Sequence, residues 1–169
     1  GDRHVGRVVM ALEIERKFRM NGFPEHLKCL RQVDIEQGYI SVEPEIRIHK
    51  AVDRSTGKTN YRLTVKGNGT LSRTEIKTEI EEQFYQEAVE FVGYPMICKD
   101  YRCYELEGHI LEVCCVDAGT EHEFYYGEIE FESEAAAEAF VPGDFLGTEV
   151  TDDDAYKMKN YWSRTRLLR

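Results

Sequence analysis

Residues 12–18, Leu-Glu-Ile-Glu-Arg-Lys-Phe, alternate apolar and charged side chains. In an extended strand, neighbouring side chains point to opposite faces, so Glu13, Glu15 and Lys17 share one face and Leu12, Ile14 and Phe18 the other. Two carboxylates and an ammonium on one strand face, backed by a greasy face, do not describe an ordinary half-wet strand. The pattern returns at 128–132, Glu-Ile-Glu-Phe-Glu, and with both signs of charge at 73–80, Arg-Thr-Glu-Ile-Lys-Thr-Glu-Ile. Several strands therefore oppose a charged face to an apolar one, and the fold must find a place for both.

Period-2 stretches predict strands near 11–19, 33–42, 45–52, 60–67, 72–80, 96–105, 109–117 and 123–132. Gly67-Asn-Gly69 and Ser55-Thr-Gly57 read as hairpin tips. Short helices are expected at 24–31, at 82–92 with Phe84, Ala88, Phe91 and Val92 at helical spacing before Gly93, and at 133–140. A last helix is expected from after Thr151 to about Arg164, with Asp152 to Asp154 at its positive end. The class is α+β, mainly β: eight antiparallel strands closing into a barrel with peripheral helices. If the charged faces point inward, the helices must cover the greasy ones. One domain over 10–169 is expected, with 1–9 a cloning remnant or loose extension ahead of Met10.

A formal net charge of −10 argues against general nucleic-acid binding, which needs a basic footprint. It leaves room for a local basic pocket. The five cysteines are odd in number and lack zinc-type spacing, which fits a reducing, cytoplasmic compartment. No apolar run reaches the length of a membrane-spanning helix.

Parity assigns the inner face. It holds Glu13, Glu15 and Lys17, then Arg47 and His49, then Arg62, Thr64 and Lys66. The fifth strand adds Arg73, Glu75, Lys77 and Glu79, the seventh Glu112 and Cys114, and the eighth Glu128, Glu130 and Glu132. Lys99 and Arg102 differ in parity, so both reach one cavity only across a bulge. Acids clustered this way repel one another unless a hard divalent cation, Mg²⁺ or Mn²⁺, sits among them. The basic side chains then suit a polyphosphate, and cation plus Arg/Lys clamps are what phosphoryl transfer requires. For any single strand, a solvated face with cross-strand ion pairs explains the pattern as well. His49 and His109 read as surface or strand residues, and Tyr101, Tyr104, Tyr125 and Tyr126 as barrel packing.

The chain resembles the CYTH family of triphosphate tunnel metalloenzymes. Glu13-Ile-Glu-Arg-Lys17 matches its E-x-E-x-K signature, and Gln37 to Ser41, Glu45-Ile-Arg47, Leu63 to Lys66, Leu71 to Glu75, Lys99, Glu112, Glu128-Ile-Glu130 and Val150 to Asp152 follow in order. The resemblance implies a tunnel with charged walls and a divalent-metal requirement. It makes Glu13, Glu15, Glu128 and Glu130 the metal ligands. Lys17, Arg47, Lys66, Arg73, Lys99 and Arg102 hold the phosphates, and Glu75, Glu79 and Glu112 are inner-wall acids that hold a second metal or position water. Glu13, Glu15, Lys17, Glu75 and Glu112 form the catalytic set. His49, Lys77 and Cys114 depart from the family pattern, and the His49 contact is expected to be pH-sensitive. The implied activity is hydrolysis of a terminal phosphoanhydride, inorganic tripolyphosphate first. A class IV-type adenylyl cyclase, a thiamine triphosphatase and a non-catalytic polyphosphate-binding module are the alternatives. The expected partners are a small-molecule triphosphate or polyphosphate and, as a candidate assembly, a homodimer, with neither nucleic acid nor membrane.

Overall fold

The computed structural model describes residues 8–69 and 71–168. Its alternating segments form β1 (Val8–Met20), β2 (Cys29–Val42), β3 (Glu45–Asp53), β4 (Thr59–Lys66), β5 (Ser72–Glu79), β6 (Ile97–Leu106), β7 (His109–Val116) and β8 (Phe124–Glu130). They close into a barrel in the order β1-β5-β4-β3-β2-β6-β7-β8, every pair antiparallel. β1 makes the closure. Its residues from Val8 to Ile14 pair with β5, and those from Glu15 to Met20 pair with β8. The β6–β7 connection turns on Glu107 and Gly108, both at positive φ (49° and 81°), as a tight hairpin requires.

The polar face of this barrel is inside and the apolar face is outside. Ile14, Phe18, Leu111, Val113 and Ile129 project outward and are buried by α2 (Glu134–Ala139) and the segment through Leu146. Ser133 starts α2, its hydroxyl accepting the Ala136 N–H at 3.0 Å. On another side α1 (Glu82–Val92) lays Tyr85 and Ala88 over Ile48, and Gly93 ends it at φ 74°. The buried face of α1 is the row of Tyr85, Ala88 and Val89, while Phe84 and Phe91 of the expected face stay exposed, Phe91 by 81%. Covering the barrel leaves the interior free for charge. Each large side chain fully buried between the outer wall and its cover, such as Phe18 or Trp162, contributes about 1.5–3 kcal/mol.

Two expected helices take other forms. Residues 24–27 make a single turn, with the Leu27 N–H donating to Pro24 O at 3.1 Å, and Cys29 to Arg31 join β2. Ladder bonds to β6 outweigh the local preference there. The C-terminal helix breaks into a 3-10 turn (Asp154–Tyr156), α3 (Met158–Trp162) and a wide π-type turn (Ser163–Leu167). Lys157, between the first two, is extended at φ −72°, ψ 130°. Arg166 anchors the last turn on Asp117, donating from Nη1 at 2.8 Å and Nη2 at 3.3 Å, and on the carbonyls of Pro95 and Met96. Tyr161 donates its hydroxyl proton to the same carboxylate. Among the described residues no helix is long and apolar enough to cross a membrane.

Candidate active site

The barrel encloses a cavity of about 330 Å³ whose wall is mainly polar and charged. β1 contributes Glu13, Glu15 and Lys17, which parity placed on one face, and β8 sets Glu128 and Glu130 beside them, with Glu15 opposite Glu130 and Lys17 opposite Glu128. β5 supplies Arg73, Glu75 and Lys77; β4 supplies Arg62, Thr64 and Lys66; β3 supplies Glu45, Arg47 and His49; β7 supplies Glu112 and Cys114. Lys99 reaches in from β6.

Arg102 does not. β6 pairs with β7 without a bulge between Lys99 and Arg102, so their opposite parity holds. The Arg102 guanidinium lies outside, donating to Asp100 at 3.0 and 3.1 Å over the Phe23 ring. Glu79 and Glu132 are likewise absent from the cavity wall, Glu79 at the exposed end of β5 and Glu132 beyond β8. Glu130 sits at the exposed rim.

Cations thread between the acids. Lys66 Nζ lies 3.4 Å from Glu13 and 3.6 Å from Glu75. Arg73 reaches Glu13, Glu15 and Glu45 at 3.6–3.8 Å, and Lys17 lies 3.7 Å from Glu128. The Lys17 ammonium also donates to Tyr156 O at 2.9 Å, tying the C-terminal segment to the wall. Burial opposes charge on Glu13, yet the hydrogen bond with Glu75 and the charges of Lys66 and Arg73 hold its pKa well below the carboxylate range. Burial and the neighbouring Glu128 push Glu15 up, and burial with Glu13 pushes Glu75 up. Glu128, though buried, is held down by Lys17 and by the Glu15 hydrogen bond. The acids therefore split by environment, Glu13 and Glu128 held toward the charged form and Glu15 and Glu75 pushed toward the neutral one. Burial and Glu128 raise Glu112 to about 7.

Burial, together with Arg47, Arg62, Lys99 and Lys77, pushes His49 down to about 3, so its imidazole is uncharged at neutral pH. Lys99 is lowered to about 8 by burial, with Arg47 adding to the effect, and it donates to the Tyr126 hydroxyl at 2.7 Å. Tyr101 also lines the cavity, and Tyr126 faces it with Lys17 4.9 Å from its ring centre, so Tyr126 belongs to the site rather than to packing. Parity with Glu128 was the signal that could have found it. His109 and Tyr104 do lie outside the cavity lining, His109 against Phe131 and Phe140.

A divalent cation fits this donor set. Among the described residues no three acidic, His or Cys side chains already converge as a closed metal cage. One or two ionised carboxylates are instead what an octahedral ion uses when it keeps waters and takes its remaining ligands from phosphate oxygens. Glu75 Oε1, Arg47 Nε and Arg73 Nε are buried with no hydrogen-bond partner among the described residues, so the wall holds polar capacity it does not itself satisfy.

No family model matches the chain. It is 34% identical over 161 residues to the inorganic triphosphatase of Nitrosomonas europaea, covering 87% of this chain and 94% of that protein. The crystal structure of the inorganic triphosphatase NE1496 superposes with a TM-score of 0.62 at 28% identity, covering 88% of this chain and 95% of that one. The PH1819 protein from Pyrococcus horikoshii OT3 shares the fold, with a TM-score of 0.54 at 21% identity over 75% of this chain and 83% of that one.

Proposed function

Because the chain belongs to the CYTH family of triphosphate tunnel metalloenzymes, we propose that it is a divalent-metal-dependent triphosphatase that cleaves the terminal phosphoanhydride of inorganic tripolyphosphate. One observation carries the reading at the site. Four carboxylates, Glu13, Glu15, Glu75 and Glu128, share one enclosed cavity with Lys66, Arg73 and Arg47, with Lys66 and Arg73 within 4 Å of Glu13.

In this reading Glu13, Glu15, Glu128 and Glu130 hold Mg²⁺ or Mn²⁺, a choice consistent with all-oxygen donors. The bound ion supplies charge neutralisation at the phosphoryl oxygens and a more acidic water. Lys17, Lys66, Arg47, Arg73 and Lys99 grip the phosphate oxygens, the arginines with forked donors and the lysines as point charges. Such clamping performs most of the catalysis, because phosphoryl transfer depends chiefly on positioning and electrostatics. Glu112 and Glu75 orient the attacking water, and Glu112, raised to about 7, is matched to accept its proton near neutrality. Arg102, bound to Asp100 on the outer surface, takes no part. A cytoplasmic location accords with five unpaired cysteines, two of them exposed.

The test is product identity. With tripolyphosphate and Mg²⁺ or Mn²⁺, orthophosphate and pyrophosphate are expected, and EDTA should stop their release. Cyclic AMP and pyrophosphate from ATP would make the protein a cyclase. Faster hydrolysis of thiamine triphosphate would change the substrate, and tight binding with no turnover would leave only a binding module.

A further inference from the structure

β7 runs between β6 and β8, and the three strands set Tyr101, Cys114 and Tyr126 in one row across the cavity wall. Lys99 stands two residues from Tyr101 on the same inner face of β6. Its side chain crosses the line of β7 to donate from Nζ to the Tyr126 hydroxyl of β8 at 2.7 Å. Among the described residues no carboxylate lies within 4 Å of that ammonium. Cys114, which the side chain passes, supplies no counter-charge, because burial pushes its thiol up to about 12 and leaves it neutral. Both partners of the hydrogen bond are buried, Tyr126 at 3% and Lys99 at 8% exposure. The ring that carries the hydroxyl is itself held. Phe124 packs on it at 6.0 Å between ring centres, and the Lys17 ammonium lies 4.9 Å from its centre.

A neutral partner does something for Lys99 that a carboxylate does not. Lys66 has Glu13 at 3.4 Å and Glu75 at 3.6 Å, so its charge is compensated before any ligand arrives. The phenol oxygen offers Lys99 a lone pair and cancels nothing. One N–H of the ammonium is spent on Tyr126, and the others remain for phosphate oxygens. A long, flexible lysine left to sample its rotamers has to be ordered by the anion that it binds, at a cost in affinity. A lysine already tethered at its tip avoids most of that cost.

We infer that Tyr126 is a positioning residue, whose hydroxyl holds the Lys99 ammonium at the cavity wall with its charge intact and aimed at the phosphate oxygens of the substrate. The inference rests on the triphosphatase reading for the identity of the anion, and it gives a role to a tyrosine that the sequence pattern assigned to packing. Tyr126 acts through Lys99, and the lysine makes the contact.

The experiment is a double-mutant cycle between Tyr126 and Lys99, read by calorimetric titration of the metal-free full chain with linear tripolyphosphate. Tyr126→Phe keeps the ring and removes the hydroxyl. It is expected to raise Kd about tenfold, the size of one hydrogen bond to a charged group. Added to Lys99→Met, the same substitution is expected to change Kd by less than about twofold, because the group it acts through is gone. Equal weakening in both backgrounds makes the hydroxyl a packing feature and overturns the inference. An unchanged Kd for Tyr126→Phe overturns it too, as does failure of the wild-type chain to bind. Steady-state rates with Mg²⁺ give a second measurement, which decides where the double variant binds too weakly to titrate. Tyr126→Phe should raise KM and change kcat less, and a fall in kcat at constant KM counts against the positioning role. Absence of orthophosphate release from the wild-type chain, alongside intact coupling in the cycle, sinks the triphosphatase reading and leaves the assignment of Tyr126 standing.

Discussion

Glu13, Glu15 and Glu75 line one cavity wall with Glu128, and the counter-charges among them are Lys17, Lys66 and Arg73. Replacing one such carboxylate by its amide keeps the shape and removes the charge a cation would meet. Glu13→Gln and Glu130→Gln are therefore each expected to lower metal-dependent orthophosphate release by at least about 100-fold while circular dichroism and the melting profile stay native. Full activity in either variant removes that residue from the ligand set. Lys66 plays a different part. Buried at 9% exposure, lowered in pKa by burial and by Arg47, it supplies attraction rather than chemistry. Lys66→Ala should raise KM for tripolyphosphate about tenfold or more and change kcat less, as steady-state rates at several substrate concentrations will show.

Among the elements, the strands were legible in the sequence and the helices only in part. Period-2 alternation located all eight strands within a few residues, because a tunnel keeps polar and apolar faces strictly apart. Parity also assembled the cavity, from Glu13 on β1 to Glu128 on β8, and its condition that Lys99 and Arg102 share the cavity only across a bulge meets an unbroken β6–β7 register, with Arg102 outside on Asp100. The face of α1 was misread because Phe84 and Phe91 outweigh Tyr85 and Ala88 in bulk, while the shape of the outer wall favours the smaller row that stacks Tyr85 on Tyr61 at 5.2 Å. The C-terminal breaks were not readable at all. They depend on Lys157 turning into the cavity and on Arg166 reaching Asp117, which lies far away in sequence. That anchor is a nearly buried ion pair, with side-chain exposures of 10% and 7%. Arg166→Gln leaves Asp117 charged and poorly compensated, and a loss of about 3 kcal/mol is expected in urea unfolding, with Asp117→Asn costing a similar amount.

At the scale of the whole molecule, the interior charge makes stability depend on solution conditions. His49 has its pKa lowered to about 3, against about 6.5 in the unfolded chain. Between those values the unfolded chain binds the extra proton, so the His49 contribution to stability is complete above 6.5 and falls away as pH drops toward 3. The variant His49→Gln cannot take up that proton, and its unfolding free energy should fall less steeply than wild type across this window. Parallel curves for the two would refute the assignment. Divalent cations should act in the opposite sense to acid, since an ion binding only the folded tunnel at 100 times its dissociation constant adds about 2.7 kcal/mol. Calorimetry with Mg²⁺ or Mn²⁺ should show a higher Tm that EDTA reverses. The pairing of β1 has a further consequence for biogenesis. This strand leaves the ribosome before the other seven, yet half of its ladder waits for β8, the last of the eight to emerge. Glu15 meets Glu128 and Glu130 across that last seam, so a nascent chain lacks the proposed cation pocket until β8 has emerged, and truncation before residue 124 leaves β1 half unzipped.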